Sequence, residues 1–512
     1  MSEALVLPLT TIGVIIILAL CFSLFIRKLG QNEVIGFIIA GFLLGPFFLN
    51  FITPTDPLIL GFGELGLFIL LFYLGVELSL KEFLKSGAAV FGLAIVDMSL
   101  TTGIGVMILL LLGNSLIFSI IVGIMMFSTS TAIVAKFIIN NNLLDNVSAK
   151  ISLSILILQD FLGVLLLVFI TTLSASEGQS PLLLLLAAIV FAVSAFYGVY
   201  RLSKLVEDWL HANGFGHTEM TLFALGIGLI VATLASILGL STAIGAYFAG
   251  FALSETKGAQ QIKKDVGFLR DFFLVFFFVG FGTTIFYDSA LKAVTFPTPI
   301  DLGLLVLLAV LLSICAIIAH SLSTRIFGSI FGLSASDASL SAILLTPLGE
   351  FVVIIATVAI AAKVLPISEA KILSPLAFLL IIITLLLFQP MHSFKGLHEK
   401  LLSFVPRLPE PKKKSDIVPH TDYTIEQAKK AALNIFVILC FAWITVLLYE
   451  DLPRFGVPII YSRQITAFLL FCFFASWPAA TAIKALKKIL EHALRHERQP
   501  KKRFAFVETN HN

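Results

Sequence analysis

The sequence predicts an all-α polytopic membrane protein, and three observations carry that prediction. Of the 512 residues, 58% are hydrophobic and only 13% charged, with a mean hydropathy of +1.04. A soluble domain of this length does not read that way. The apolar residues also fall into runs of bilayer length separated by short polar turns. Finally, a ten-residue pattern recurs. Ile35-Gly36-Phe37-Ile38-Ile39-Ala40-Gly41-Phe42-Leu43-Leu44 and Ile244-Gly245-Ala246-Tyr247-Phe248-Ala249-Gly250-Phe251-Ala252-Leu253 share six of ten positions, and both glycine pairs are 209 residues apart. The copies lie seven predicted helices apart, so they cross the membrane in opposite senses, as in an inverted repeat. Chance recurrence of small-residue packing is the alternative.

Taken in order, the predicted spans are 7–26, 34–50, 61–79, 88–112, 115–138, 148–172, 181–200, 219–238, 240–254, 267–286, 302–324, 338–362 and 371–390, about thirteen helices. Leu5–Ile26 is read as the first of them, not as a signal peptide. It has no basic region before it and no small-residue cleavage site after it. The span at 240–254 is short and rich in small residues. A proline- and charge-rich stretch, 405–426, reads as a solvated linker, and two more apolar runs follow at 431–449 and 465–484. The predicted layout is thus a transmembrane domain over 1–395, a cytoplasmic linker over 396–430, a transmembrane hairpin over 431–486 and a basic cytoplasmic tail over 487–512. Cys21, Cys315, Cys440 and Cys472 lie in apolar segments without metal or disulfide spacing and read as packing residues.

Basic residues set the orientation. Arg27, Lys28, Lys81, Lys85, Arg201, Lys204, Lys263, Lys264, Arg270, Arg325, Lys395, Lys400 and Lys412–Lys414 all follow odd-numbered spans. By the positive-inside rule the N-terminus lies outside and the C-terminus in the cytoplasm of a multi-pass cell-membrane protein. Lys292, Lys363, Arg454 and Arg463 fall on the other side.

The sixth span holds Gln159 and Asp160 in the middle of the apolar run Ser152–Val168. A charge there costs about 2.5–3.5 kcal/mol on insertion scales, so such a group points to a cavity and a function. A carboxylate binds a cation or a proton, but hardly both, and the neighbouring amide oxygen makes a hard-oxygen site of low charge suited to a monovalent cation. The plainer reading is a protonated Asp hydrogen-bonded between helices. The fifth span contains Ser128-Thr129-Ser130-Thr131, and its counterpart, the twelfth, contains Thr346-Pro347-Leu348-Gly349-Glu350. Pro347 removes a donor and Gly349 loosens the helix, so a break is expected there, with hydroxyls and a carboxylate meeting at mid-membrane. Hydroxyl back-bonding within a helix is the alternative for the Ser/Thr run. Glu350 either pins the break or takes part in ion binding.

These motifs resemble those of the monovalent cation:proton antiporter-2 family, Kef-type branch. They run Arg27-x-Leu29-Gly30, Ile35-Gly36-x3-Ala40-Gly41-x3-Gly45-Pro46, Gly75-x-Glu77-Leu78, Ser128–Thr131, Gln159-Asp160, Gly245-x3-Ala249-Gly250 and Gly349-Glu350-Phe351, in order over residues 1–395. The resemblance implies two crossed broken helices in a core domain, a separate dimerisation domain and hence a homodimer, and an elevator-like movement. It further implies that Asp160 binds the cation and the proton in turn. Gln159, where many relatives have an acid or Asn, favours K+ over Na+. His320 falls near the lysine many relatives carry before the second broken helix, with Arg325 slightly beyond. No soluble nucleotide-binding module follows residue 395, and no cofactor or nucleic-acid partner is implied. The expected partners are K+ or Na+, H+ and the lipid bilayer. One acid exchanging one proton for one monovalent cation makes transport electroneutral. A gated potassium channel or facilitator, and a non-transporting membrane sensor, are the competing readings. An enzyme is not expected, since no nucleophile–base pair or metal-ligand cluster appears.

Overall fold

The computed structural model describes residues 3–407 apart from 30, 78–86, 175–180, 214–216, 289–292, 295–297, 332 and 394, and beyond them only Thr481 and Lys484. The predicted hairpin and tail, and the linker beyond residue 407, therefore lie outside the described residues. Residues 1–325 with 333–405 form one compact unit. Residues 326–332 and 406–512 belong to a second.

The described helices are α1 (Glu3–Lys28), α2 (Glu33–Leu44), α3 (Pro57–Glu77), α4 (Gly87–Leu111), α5 (Leu116–Phe127), α6 (Thr131–Asn140), α7 (Val147–Ser174) and α8 (Pro181–Ala212). They continue with α9 (His217–Ile237), α10 (Thr242–Ser254), α11 (Ala259–Thr283), α12 (Pro299–Phe327), α13 (Ala335–Leu344), α14 (Phe351–Ala361), α15 (Ile367–Ser393) and α16 (Lys395–Leu402). The described strands are one small ribbon, β1 (Tyr287–Asp288) antiparallel to β2 (Ala293–Val294). Seven of the described helices, α1, α3, α4, α9, α11, α12 and α15, are long and apolar enough to cross a bilayer.

The two copies of the repeat form α2 and α10, of 12 and 13 residues. At 1.5 Å per residue they reach only about 20 Å, short of a hydrocarbon core of about 30 Å. The expected span 34–50 ends early because Gly45 closes α2 on the Gly41 carbonyl and Pro46 follows, after which the chain turns. Conversely, the expected span 267–286 starts at Ala259, with polar first turns, and 181–200 runs on to Ala212. Lys395–Leu402 is helical where the sequence pattern suggested the beginning of a linker.

Two bundles make up the larger unit. In one, which we call the panel, α1, α2, α3, α8, α9, α10 and α11 pack together. In the other, the core, α4 packs on α5 and α7, α7 on α13 and α14, and α14 on α15 and α5. Contacts of α7 with α8 and α10, and of α11 with α14, join the two.

The panel is assembled through glycines. A Cβ on Gly41 of α2 would overlap the Val279 carbonyl of α11, and one on Gly282 of α11 would overlap the Ile38 carbonyl of α2. In the same way Gly250 of α10 abuts the Phe72 carbonyl of α3, and Gly75 of α3 the Tyr247 carbonyl of α10. Gly36 and Gly245, the first glycines of the repeat, sit against α1 and α9, with Cβ positions 2.6 Å from Ser23 Cα and 2.5 Å from Ala232 Cα. The two halves of the panel thus use equivalent glycines for equivalent crossings, as small residues do wherever membrane helices approach backbone to backbone.

Candidate ion-binding site

The two predicted breaks meet. Helix α5 ends at Phe127, residues Ser128–Ser130 are non-helical, and α6 begins at Thr131. Opposite, α13 ends at Leu344 and α14 begins at Phe351. Pro347 cannot donate to a helical ladder, so the chain opens there. Thr129 and Leu348 form an antiparallel bridge. Ser130 N–H donates to the Pro347 carbonyl at 2.7 Å, and Gly349 N–H to the Ser128 carbonyl at 2.8 Å. Leu348 N–H donates to Thr384 Oγ1 at 3.1 Å, and Thr129 Oγ1 to the Leu345 carbonyl at 3.1 Å. Each break supplies partners for the other, in surroundings where an unsatisfied backbone group costs several kcal/mol. A Cβ on Gly349 would lie 2.8 Å from Ser130 Cα, so the crossing needs glycine at that position.

The four hydroxyls divide by role. Ser128 Oγ bonds back to the Ile124 carbonyl at 3.3 Å, and Ser130 Oγ caps α6 by accepting from Ile133 N–H at 3.4 Å. Thr129 ties the crossing together, as above. Thr131 alone turns to the carboxylate of the sixth span, and its Oγ1 donates to Asp160 Oδ2 at 2.9 Å. Thr131 is also the first residue of α6. The carboxylate therefore sits at a helix N-terminus, which favours negative charge. Asp160 feels the charges of Glu350 and Glu77, and Glu350 feels those of Arg270 and Glu77. Glu350 stands at the N-cap of α14 without making a side-chain cap bond.

Gln159 faces the other way. Its Nε2 donates to Asp97 Oδ2 at 3.2 Å, and its buried Oε1 has no partner. Asp97, on α4, is fully buried and lies 2.9 and 3.0 Å from His320 Nδ1 through its two oxygens, while Ser323 Oγ also donates to it. His320 thus belongs to a buried cluster that joins α4, α7 and α12, and its Nε2 has no partner. Arg325, five residues further along α12, donates from Nε to the Val405 carbonyl at 3.3 Å.

The arrangement brings together Asp160, Thr131, Glu350 and, through the crossing, Ser128, Thr129, Ser130, Pro347 and Gly349. It places Gln159 with His320 beside the site and Arg325 with the chain after α16. Asp97 was missed by the sequence reading, although its signal is the same as that of Asp160: a lone acid inside an apolar span. Glu77 and Arg270 were read only as a motif position and an orientation marker, yet their charges are felt by the site residues.

Known proteins resemble this chain in sequence and in fold. The family described as "Sodium/hydrogen exchanger, transmembrane" matches residues 14–393. The chain is 28% identical over 351 residues to the ammonium/H(+) antiporter subunit AmhT of Alkalihalophilus pseudofirmus, covering 68% of this chain and 85% of that one. It is 27% identical over 403 residues to the putative cation/proton antiporter YbaL of Escherichia coli, 77% of this chain and 70% of that one. It is also 27% identical over 272 residues to the glutathione-regulated potassium-efflux system protein KefC of E. coli, 52% of this chain and 43% of KefC's length. Among solved structures, the sodium proton antiporter MjNhaP1 of Methanocaldococcus jannaschii superposes with a TM-score of 0.55 at 18% identity, over 78% of this chain and 99% of that one, a likeness of fold. The chain belongs to the transmembrane sodium/hydrogen exchanger family of membrane transporters, among relatives that agree with its Kef-type, antiporter-2 resemblance.

Proposed function

We propose that the protein is a secondary active antiporter that exchanges a monovalent cation for H+, with Asp160 as the shared carrier. The observation that carries this reading is the Asp160 carboxylate held at the crossing of two broken helices by Thr131 Oγ1, 2.9 Å away. One carboxylate cannot hold a proton and a cation together, so each displaces the other and the two fluxes are coupled. Gln159 in place of an acid keeps the site at low charge and favours K+ over Na+. The names of AmhT and KefC, an ammonium/H(+) antiporter subunit and a potassium-efflux protein, add NH4+ to the cations worth testing.

The same reading extends to the whole chain. The two broken pairs each count as one crossing, which gives thirteen spans in inverted halves over 1–395, with the N-terminus outside. The core moves against the panel in an elevator-like step, and two panels pair to form a homodimer. Residues 431–486 form an added hairpin behind a cytoplasmic linker, with the tail of 487–512 inside. The glycine-locked crossings of the panel support its role as the static part. A single titrating acid makes the exchange electroneutral.

The test is the cation-induced pH change in proteoliposomes for K+, Na+, Li+ and NH4+, with the membrane potential clamped at several values. The expected result is proton flux strictly linked to cation flux, largest for K+ or NH4+, at a rate independent of potential. Cation flux without proton flux would mean a channel or facilitator.

A further inference from the structure

Tyr247 lies on α10 in the panel, at the fourth position of the repeated motif. It is fully buried, and its Oη has no hydrogen-bond partner. A buried hydroxyl left without a partner costs about 1–3 kcal/mol, and native structures keep few of them. A phenol kept in this state implies something that bonds to it part of the time. The first copy of the repeat has Ile39 three residues after Gly36, and Ile38 at the place that corresponds to Tyr247, so packing within the motif is satisfied without a hydroxyl.

The surroundings say what that something is. The Tyr247 ring centroid is 6.4 Å from that of Phe161, the residue after Asp160. Helix α10 touches α7 there, at one of the few places where panel meets core. Tyr247 cannot draw back, because its backbone carbonyl is clasped by Gly75 of α3, with no room for a Cβ between them. The panel therefore holds a fixed phenol ring against the residue that follows the carboxylate of the core. Phe248 and Phe251 pack around its ring at centroid distances of 5.3 and 6.3 Å, leaving the hydroxyl as the polar end of an apolar cluster.

We propose that Tyr247 is a ligand contributed by the panel to the ion site: its Oη, unpartnered in the structure, lends a lone pair to the monovalent cation at Asp160. A phenol oxygen can accept in this way while its O–H stays free to turn. The assignment rests on the reading of Asp160 as the carrier. It adds that the ligand set is shared between two bodies, so a movement of the core away from the panel strips one ligand from the cation and lowers its affinity as access switches.

The experiment uses the full chain in proteoliposomes, with wild type, Y247F and D160N prepared side by side and K+ and Na+ as the probes. Y247F keeps the ring and removes only the unpartnered oxygen. It is expected to raise KM for the cation about tenfold, equivalent to ~1.4 kcal/mol, while the maximal rate stays within about twofold. An unchanged KM in Y247F beside an inactive D160N overturns the tyrosine assignment alone. An active D160N overturns the reading of Asp160 on which it rests. A Y247F protein that fails to fold overturns the proposal as well, because a hydroxyl without a partner cannot be what holds the fold together.

Discussion

Asp97 and Asp160 show how far a single residue can be read. Both are lone acids inside apolar spans, and the cost of burying a charge marks each as purposeful. Asp160 was legible because Gln159 and a long apolar run frame it. Asp97 carries the same signal, but its meaning depends on His320 and Ser323, more than 220 residues away and 2.9 Å from it in the case of His320. No local pattern encodes that pairing. The four hydroxyls of residues 128–131 were likewise equivalent in sequence, and only the crossing of the breaks shows that Thr131 alone reaches Asp160. Removing one partner of a buried hydrogen bond leaves the other unsatisfied, at a cost of about 1–3 kcal/mol. D97N is therefore expected to lower the thermal midpoint of the detergent-solubilised protein by several degrees, and H320Q to do the same. A D97N melting curve that overlays the wild type would show that the cluster holds nothing together.

At the scale of elements, the repeat was legible because glycines at backbone contacts leave a spacing in the sequence, and it recurs. The sequence could not say which helices the glycines meet. The structure pairs α2 with α11 and α10 with α3 through carbonyl contacts that admit no Cβ. G41A and G250A are expected to abolish recovery of folded protein, whereas G61A and G63A, with nothing within 4 Å of the added carbon, should behave as wild type in size-exclusion chromatography. Equal yields for all four would mean that these crossings tolerate separation.

Helix α16 was not legible, since its mixture of Lys, His and Glu reads as linker. It is held because His398 bridges two helices, with Nε2 3.0 Å from Ser321 Oγ on α12 and Nδ1 2.7 Å from Ser339 Oγ on α13. Burial pushes His398 below the ordinary histidine value, with the Glu399 charge acting in the opposite sense. A neutral buried imidazole is thus favoured by folding. Its contribution is complete above the unperturbed value of about 6.5 and is lost as pH falls through the lowered folded value. Hydrogen exchange of the α16 amides, corrected for intrinsic rates, should accelerate below about pH 6.5 in the wild type and stay flat with pH in H398Q. A flat profile in both would show that the histidine is not what fastens the helix.

For the molecule as a whole, composition and hydropathy were enough to give the class, and motif order gave the family. The division into panel and core was implied by the family resemblance but not legible in the hydropathy pattern, because helices of both bundles are equally apolar. What separates them is three-dimensional: glycine-locked backbone contacts on one side, and broken helices that satisfy each other's backbone on the other. Phe161, the residue after Asp160, packs against Tyr247 of the panel, and the central claim is that the Asp160 carboxylate carries both partners of the exchange. The most direct measurement is cation-driven proton flux in proteoliposomes reconstituted with D160N, normalised to folded protein. The account predicts less than about a tenth of the wild-type rate, equivalent to at least ~1.4 kcal/mol of barrier, in a protein that still elutes and melts as the wild type does. A D160N protein that exchanges at more than that rate would contradict it.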